Sequence, residues 1–337
     1  MKLYHLTAQT GLDALQLREL PEPTPGPGEV AVRVRATSLN YRDLMVANGK
    51  YGASVALPLI PLSDGAGEIV AVGDGVTRWK VGDRVAGTFF QNWQSGPVRR
   101  EAFQAALGGS LNGMLAEVVV LSANGVIAIP KHLNFEEAAT LPCAALTAWD
   151  ALVTCGKVSA DQTVLLLGTG GVSIFALQFA KMHGARTIVT SGSDAKLARA
   201  RSLGADEMIN YRTTPDWEKE VFRLTAKVGV DHVVEVGGTD TFQKSLRALA
   251  LGGTISVIGG VSGFASHVPL TDILGKSALI RGIYVGSRDM FEAMNRAIAL
   301  HQLHPAVDRV FPFAQARDAY RYQESGAHFG KVVISVP

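Results

Sequence analysis

The run Val164-Leu165-Leu166-Leu167-Gly168-Thr169-Gly170-Gly171-Val172-Ser173 constrains the fold more than any other stretch of the chain. Four apolar residues read as a buried strand, the glycines as a tight turn, and the apolar segment Ile174–Ala180 as a packed helix. Gly168 and Gly170 suit a turn that brings backbone N–H groups and a helix N-terminus against a pyrophosphate. The third glycine position of that fingerprint is Ser173, small enough for helix and strand to pack closely. The residues before the run must form a separate module, and the first 125 of them hold no cysteine and no histidine beyond His5.

A chain of 337 residues suits two domains with substantial cores. Hydrophobic residues at 47% and charged residues at 18% fit a globular enzyme and exclude a disordered chain. A net charge of +2 gives no basis for a general nucleic-acid or membrane surface. Lys2-Leu3-Tyr4-His5 runs straight into mixed sequence, so no secretory signal is expected, and no stretch reaches the roughly 18 apolar residues of a spanning helix. Two cysteines, Cys143 and Cys155, do not make a disulfide framework, and the expected compartment is the cytoplasm.

The first 125 residues look β-rich. Val30, Val32 and Val34 alternate with Ala31, Arg33 and Arg35, while Gly67–Gly73 and Val81–Val85 read as short strands between glycine turns. Such spacing suggests a small barrel or sandwich. From about residue 126 the texture becomes helices alternating with apolar strands: a helix over Phe135–Thr154, then strands at Val164–Leu167, Arg186–Thr190, Val230–Val236 and Thr254–Ile258, with a helix at Ala195–Leu203. That alternation implies a parallel sheet with helices on both faces. Leu279–Val285 and Gly330–Val336 read as later strands, the last returning to the first module. The expected division is 1–125 with 268–337 for the first domain and 126–267 for the dinucleotide domain.

Cofactor choice is read at the end of the second strand, where an NAD enzyme usually places Asp or Glu against the ribose. Here Thr190 runs into Ser191-Gly192-Ser193 without an acid. Hydroxyls at Ser191 and Ser193 suit a 2′-phosphate and Lys196 neutralises its charge, so NADP(H) is expected. Asp194, three residues further on, is a rival that would contact a ribose, but it reads better as a helix N-cap before Ala195.

The chain resembles the medium-chain dehydrogenase/reductase superfamily, in particular its zinc-independent quinone oxidoreductase branch. The likeness rests on Ser38-Leu39-Asn40-Tyr41-Arg42-Asp43, Gly65–Gly73, Val81–Val85, Gly168-Thr169-Gly170-Gly171-Val172 and Leu203-Gly204-Ala205-Asp206. It implies a GroES-like β-barrel catalytic domain plus a Rossmann domain, with the substrate reacting in the cleft between them. It also implies that Asn40 and Thr147 lie near the nicotinamide, that Tyr211 reaches the 2′-phosphate, and that two copies form a homodimer through strands near Leu279–Val285. Zinc members carry Cys where this chain has Asn40 and a His-Glu pair where it has Ser63-Asp64; only Cys143 falls where a ligand is placed, so no metal is expected.

Without a Lewis acid, hydride transfer to a conjugated acceptor is easier than exchange with a simple alcohol, because the product anion spreads its charge. The expected activity is therefore NADPH-dependent reduction of a quinone or an α,β-unsaturated carbonyl compound. An alcohol dehydrogenase or aldehyde reductase, and a non-catalytic dinucleotide-binding protein, are the alternatives. Asn40 and Tyr41 are the candidate catalytic residues, with Tyr41 either donating a hydrogen bond or proton or serving as a barrel-core or cleft-wall aromatic. Arg42 and Asp43 read as an ion pair holding their loop. Phe89, Phe90 and Trp93 either line an apolar pocket or cover the barrel end, and His301 and His304 sit three apart on an expected helix.

Overall fold

Seven valine, leucine and isoleucine positions without exposure mark the centre of a six-stranded sheet in the second half of the chain: Val164, Leu165, Leu166, Ile188, Val233, Val234 and Ile255. The computed structural model describes residues 1–51 and 55–337 and divides into two units, Met1–Leu146 with Val285–Pro337, and Thr147–Tyr284.

In the first unit the strands are β1 Lys2–Leu6, β2 Leu15–Glu19, β3 Glu29–Ser38, β4 Asp64–Val72, β5 Arg84–Gly87, β6 Val118–Ser122 and β7 Val126–Ala128, joined late in the chain by β14 Val307–Pro312 and β15 Lys331–Ser335. β1 and β2 form a hairpin, and the remainder form one sheet in the order β14-β15-β3-β4-β5-β7, with β6 paired to β3. The long β3 serves three neighbours, and it shifts register against β4 at Ala31/Val32 and Val34/Ala36. Such irregularities bend a strand and re-aim its side chains. Its core takes in Val30, Val32, Val34, Ile69, Val85, Leu115, Val332 and Ile334.

The second unit carries β8 Thr163–Leu167, β9 Arg186–Ser191, β10 Glu207–Asn210, β11 Val230–Glu235, β12 Leu249–Val257 and β13 Leu279–Gly282. All pairings are parallel, in the order β10-β9-β8-β11-β12-β13. The order reverses between β8 and β11, the switch point outside which open α/β sheets bind ligands. Helix Gly171–Met182 packs Phe175, Phe179 and Leu177 inward. Truncating the fully buried Phe179 to Ala removes a side chain whose loss costs about 3–5 kcal/mol.

Several expected elements differ. The units divide at 146/147 and 284/285 where the sequence places 125/126 and 267/268, because β7 pairs with β5 and β13 with β12. Phe135–Thr154 is not one α-helix: the turns Phe135–Ala138 and Leu146–Trp149 alternate with π-helical Leu141–Ala145 and Asp150–Cys155. Pro142 inside the first π-turn lacks the N–H that a regular helix requires. The strand expected over Val81–Val85 begins only at Arg84, since Lys80–Asp83 is a turn in which the Lys80 N–H donates to Asp83 Oδ2 at 3.0 Å. The helix near His301 is Arg288–Leu300, so His301 is its C-cap and His304 lies beyond it, 2.7 Å from Glu137 Oε1. Among the described residues no helix is long and apolar enough to cross a membrane.

Candidate functional site

β8 gives way to Gly168, whose φ of +76° is a left-handed conformation that glycine adopts without a Cβ penalty. Its N–H donates to Thr190 Oγ1 of β9 at 3.3 Å, and Ser173 Oγ donates back to the Leu167 carbonyl at 2.6 Å. The serine in the third glycine position therefore ties helix to strand. Thr169 is buried in the turn. Helix Gly171–Met182 follows Gly170 with no side-chain cap, leaving the first-turn N–H groups, Val172 among them, to an external acceptor. A Cβ on Gly168 or Gly170 would meet nothing within 4 Å, so open space stands over the turn. Uncapped amides, a helix N-terminus and open space over the turn fit the pyrophosphate of a dinucleotide.

At the neighbouring strand ends, Asn210 of β10 lies in register with Ser191 of β9, and the Tyr211 N–H donates to the Ser191 carbonyl at 3.1 Å. This brings Tyr211 and Arg212 over Gly192: a Cβ there would fall 2.8 Å from Tyr211 Oη and 2.9 Å from Arg212 Nε. Ser191 Oγ accepts from the Ser193 N–H at 3.3 Å, and Ser193 Oγ accepts from the Lys196 N–H at 3.4 Å. Ser193, not Asp194, is thus the N-cap of helix Asp194–Ser202; Asp194 is its first residue and accepts from Asn210 Nδ2 at 2.7 Å. Arg212 was missed in the sequence, although it directly follows Tyr211. Thr147 is buried in the helical turn between the two π-turns.

At the end of β11, buried Glu235 holds the next loop. Its Oε1 accepts from Gly237 N–H at 2.8 Å, Gly238 N–H at 3.0 Å and Thr241 Oγ at 2.6 Å, and its Oε2 accepts from Ser245 Oγ.

The second constellation lies in the first unit. β15 runs antiparallel to β3 with Val333 opposite Ser38, so the same register carries Lys331 to the level of Asn40; β4 places Asp64 opposite Ser38 on the other side. Lys331 is 2% exposed, and its Nζ donates to Asn40 Oδ1 at 2.6 Å and to the Leu39 carbonyl, with Asp64 Oδ2 at 3.9 Å. Asp64 accepts from Ser63 Oγ at 2.7 Å and from the Cys143 N–H at 3.2 Å. Leu62, buried at a φ of +68°, turns the chain into this pair from a conformation that costs a branched residue energy.

Asn40 also opens helix Tyr41–Ala47, its N–H donating to Asp43 Oδ2 at 2.8 Å. Arg42 and Asp43 form the expected ion pair at 3.3 Å, fully inside the unit. The Arg42 guanidinium lies 4.6 Å from the Tyr51 ring centre and 4.9 Å from that of Phe89. Burial pushes the Asp43 carboxyl up to about 6 against the pull of Arg42, and burial likewise raises Asp64 against the pull of Lys331. Tyr41 is 44% exposed, which removes the core-aromatic reading. Phe89, Phe90 and Trp93 are instead buried and pack together, with ring centres 4.7 Å and 5.9 Å apart.

Residues 26–131 match the family described as the alcohol dehydrogenase GroES-like domain, and residues 171–299 the family described as zinc-binding dehydrogenase. The chain is 46% identical over 334 residues to the zinc-type alcohol dehydrogenase-like protein C1773.06c of Schizosaccharomyces pombe, covering 97% of this chain and 96% of that one. It also resembles two solved structures. One is a putative alcohol dehydrogenase from Sinorhizobium meliloti (TM-score 0.94, 42% identity, 99% and 98% coverage), the other an NAD-dependent alcohol dehydrogenase (TM-score 0.91, 38% identity, 100% of both).

The zinc in the family's description needs thiolate, imidazole or carboxylate donors. Here the Asn40 amide oxygen and the Asp64 carboxylate face an ammonium, and the Ser63 hydroxyl donates to Asp64. Burial, with Asp64 next, raises the Cys143 thiol well above the ordinary cysteine range. Among the described residues no group of three or more His, Cys, Asp or Glu stands together to hold an ion. These residues do not fit a catalytic zinc.

Proposed function

Because the chain belongs to the medium-chain dehydrogenase/reductase superfamily, we propose that it is a zinc-independent, NADPH-dependent oxidoreductase that reduces a quinone or an α,β-unsaturated carbonyl compound. One observation carries this reading: Lys331 engages Asn40 and Asp64 where a zinc dehydrogenase needs anionic or imidazole ligands. An ammonium at that place opposes a second, metal cation. The chemistry left to side chains is hydrogen bonding and proton delivery, which suffices for a delocalised product anion but poorly supports an alkoxide.

When bound, the nicotinamide supplies the hydride. Gly168, Thr169, Gly170, Gly171 and Val172 hold the pyrophosphate through backbone amides and the helix N-terminus. Ser191, Ser193, Lys196, Tyr211 and Arg212 take the 2′-phosphate, the two serines and Tyr211 as hydroxyl partners and Arg212 as a charge-assisted donor. Asn40 and Thr147 orient the nicotinamide half. Tyr41, with its ring accessible, donates a proton or hydrogen bond to the developing enolate oxygen.

The second reading is an alcohol dehydrogenase or aldehyde reductase using NADH. It is favoured by the likeness to the 38%-identical NAD-dependent alcohol dehydrogenase and by Asp194 beside the strand end. Purified protein is offered NADPH or NADH with quinones, enones, enoyl thioesters, aldehydes and alcohols. Turnover of quinones or enones with NADPH supports the first reading; turnover confined to aldehydes or alcohols with NADH replaces it. Stoichiometric zinc by elemental analysis would remove the zinc-independent part. A homodimer through β13 is proposed as well, since this edge strand leaves Leu279 and Ile280 exposed. Sedimentation of a monomer would end that proposal.

A further inference from the structure

We propose that Lys331 is a positioning residue, whose buried ammonium fixes which way the Asn40 side-chain amide points and so commits its NH2 group to a carbonyl oxygen of a bound ligand. An amide flips at little cost when both ends find equivalent partners; an ammonium beside one end removes that equivalence, because it only donates. Lys331 Nζ donates to Asn40 Oδ1 at 2.6 Å, so the oxygen is held against the ammonium and Nδ2 must face the other way. Asn40 is 8% exposed, and among the described residues Nδ2 has no partner beyond the Asp64 carboxylate. The amide lies near enough to Asp64 to favour its carboxylate, yet an NH2 group carries two protons and at least one is uncommitted. A buried donor left unpaired costs free energy that a ligand acceptor recovers.

Lys331 Nζ is itself held by two accepting oxygens, the Leu39 carbonyl and Asn40 Oδ1, with Asp64 Oδ2 at 3.9 Å. The acceptor is a carbonyl oxygen, supplied by the carboxamide of the nicotinamide or by the substrate. The inference rests on the oxidoreductase reading above for the identity of that ligand, and on the Lys331–Asn40 geometry alone for the orientation.

Lys331→Met by itself strands the Asp64 charge, so Lys331→Met/Asp64→Asn, which removes both charges, is the working variant, with Lys331→Arg as the conservative one. The dissociation constant of NADPH and of NADH, followed by nicotinamide fluorescence, reports on the carboxamide; the KM of the acceptor reports on the substrate carbonyl. Asn40→Ala and Lys331→Met/Asp64→Asn should each weaken the same one of these by about tenfold or more. Adding Asn40→Ala to the charge-free variant should cost less than about twofold further, because the lysine acts through the amide. Lys331→Arg should recover part of the loss. Losses that multiply independently, or a change in melting temperature with no change in either constant, would overturn the inference.

A ligand-free readout separates this inference from the proposed activity. With selectively 15N-asparagine-labelled protein, the Asn40 NH2 pair, assigned by its disappearance in Asn40→Ala, should be single and sharp in the wild type. It should be doubled or broadened in Lys331→Met/Asp64→Asn. An unchanged pair refutes the orienting role whatever the protein reduces. Conversely, wild-type protein that binds neither dinucleotide defeats the functional reading and leaves the amide test to decide the orientation.

Discussion

Gly192 lies directly against Tyr211: a Cβ on it would stand 2.8 Å from the phenol oxygen. The phenol and Arg212 thereby crowd the end of β9 beside Ser191 and Ser193. Gly192→Val should push both side chains away, raising the KM for NADPH about tenfold or more while leaving that for NADH within about twofold. Arg212→Ala and Lys196→Ala should move NADPH in the same direction. Steady-state kinetics with both cofactors checks this, and equal effects on the two would remove the 2′-phosphate assignment.

Two glycines of the same turn separate strain from ligand space. Gly168 sits at a φ of +76°, so Gly168→Ala should cost about 1–2 kcal/mol of stability through the backbone alone. Gly170 has a φ of −79° that alanine adopts freely, and its Cβ would meet nothing within 4 Å. Gly170→Ala should leave the melting temperature unchanged yet weaken dinucleotide binding, because the methyl enters the open cradle. Calorimetry of melting and binding tests the pair, and unchanged affinity in Gly170→Ala would place the pyrophosphate elsewhere.

Tyr41 is exposed, and its hydroxyl is not needed to fill a core. Tyr41→Phe should melt with the wild type and lower kcat at saturating NADPH by at least about tenfold, the lower range for a positioned acid. A loss below about twofold would mean that water delivers the proton.

Asp43 binds its proton more tightly folded than unfolded, because burial raises its carboxyl from 3.8 to about 6. Its stabilising contribution is therefore fully present below about pH 4 and is lost as pH rises through about 6. Burial also raises Asp64 and Asp150, giving them the same sign. Asp43→Asn should flatten the fall in stability between about pH 4 and 6, measured by chemical denaturation across that range. A slope as steep as in the wild type would show that Asp43 is ionised throughout.

The parts of this molecule that were legible in sequence are those governed by near neighbours. Val164–Leu167, the glycine turn and the following helix announce themselves by apolar periodicity, and the structure places all three as expected. The Arg42–Asp43 pair was readable from adjacency. The π-turns around Pro142 and at Asp150–Cys155 were not, because their apolar spacing is also that of an α-helix. Asp194 and Ser193 are both good capping residues, and only the backbone decides between them. Lys331 was the most hidden: Gly330-Lys331-Val332-Val333 reads as the polar start of a strand, and its burial depends on a register with residues almost a whole chain length earlier.

That separation along the chain also sets an order on biosynthesis. Asp64 leaves the ribosome long before Lys331, so its sheet spends most of translation without the strand that carries that cation. A product cut short anywhere before residue 331 leaves Asp64 without the ammonium that faces it and β3 without its pairing at Ala36–Ser38. The strand carrying Lys331 thus doubles as a check on completeness, since only a chain translated through it has both the hydrogen-bonded edge and the charge that let the first unit close.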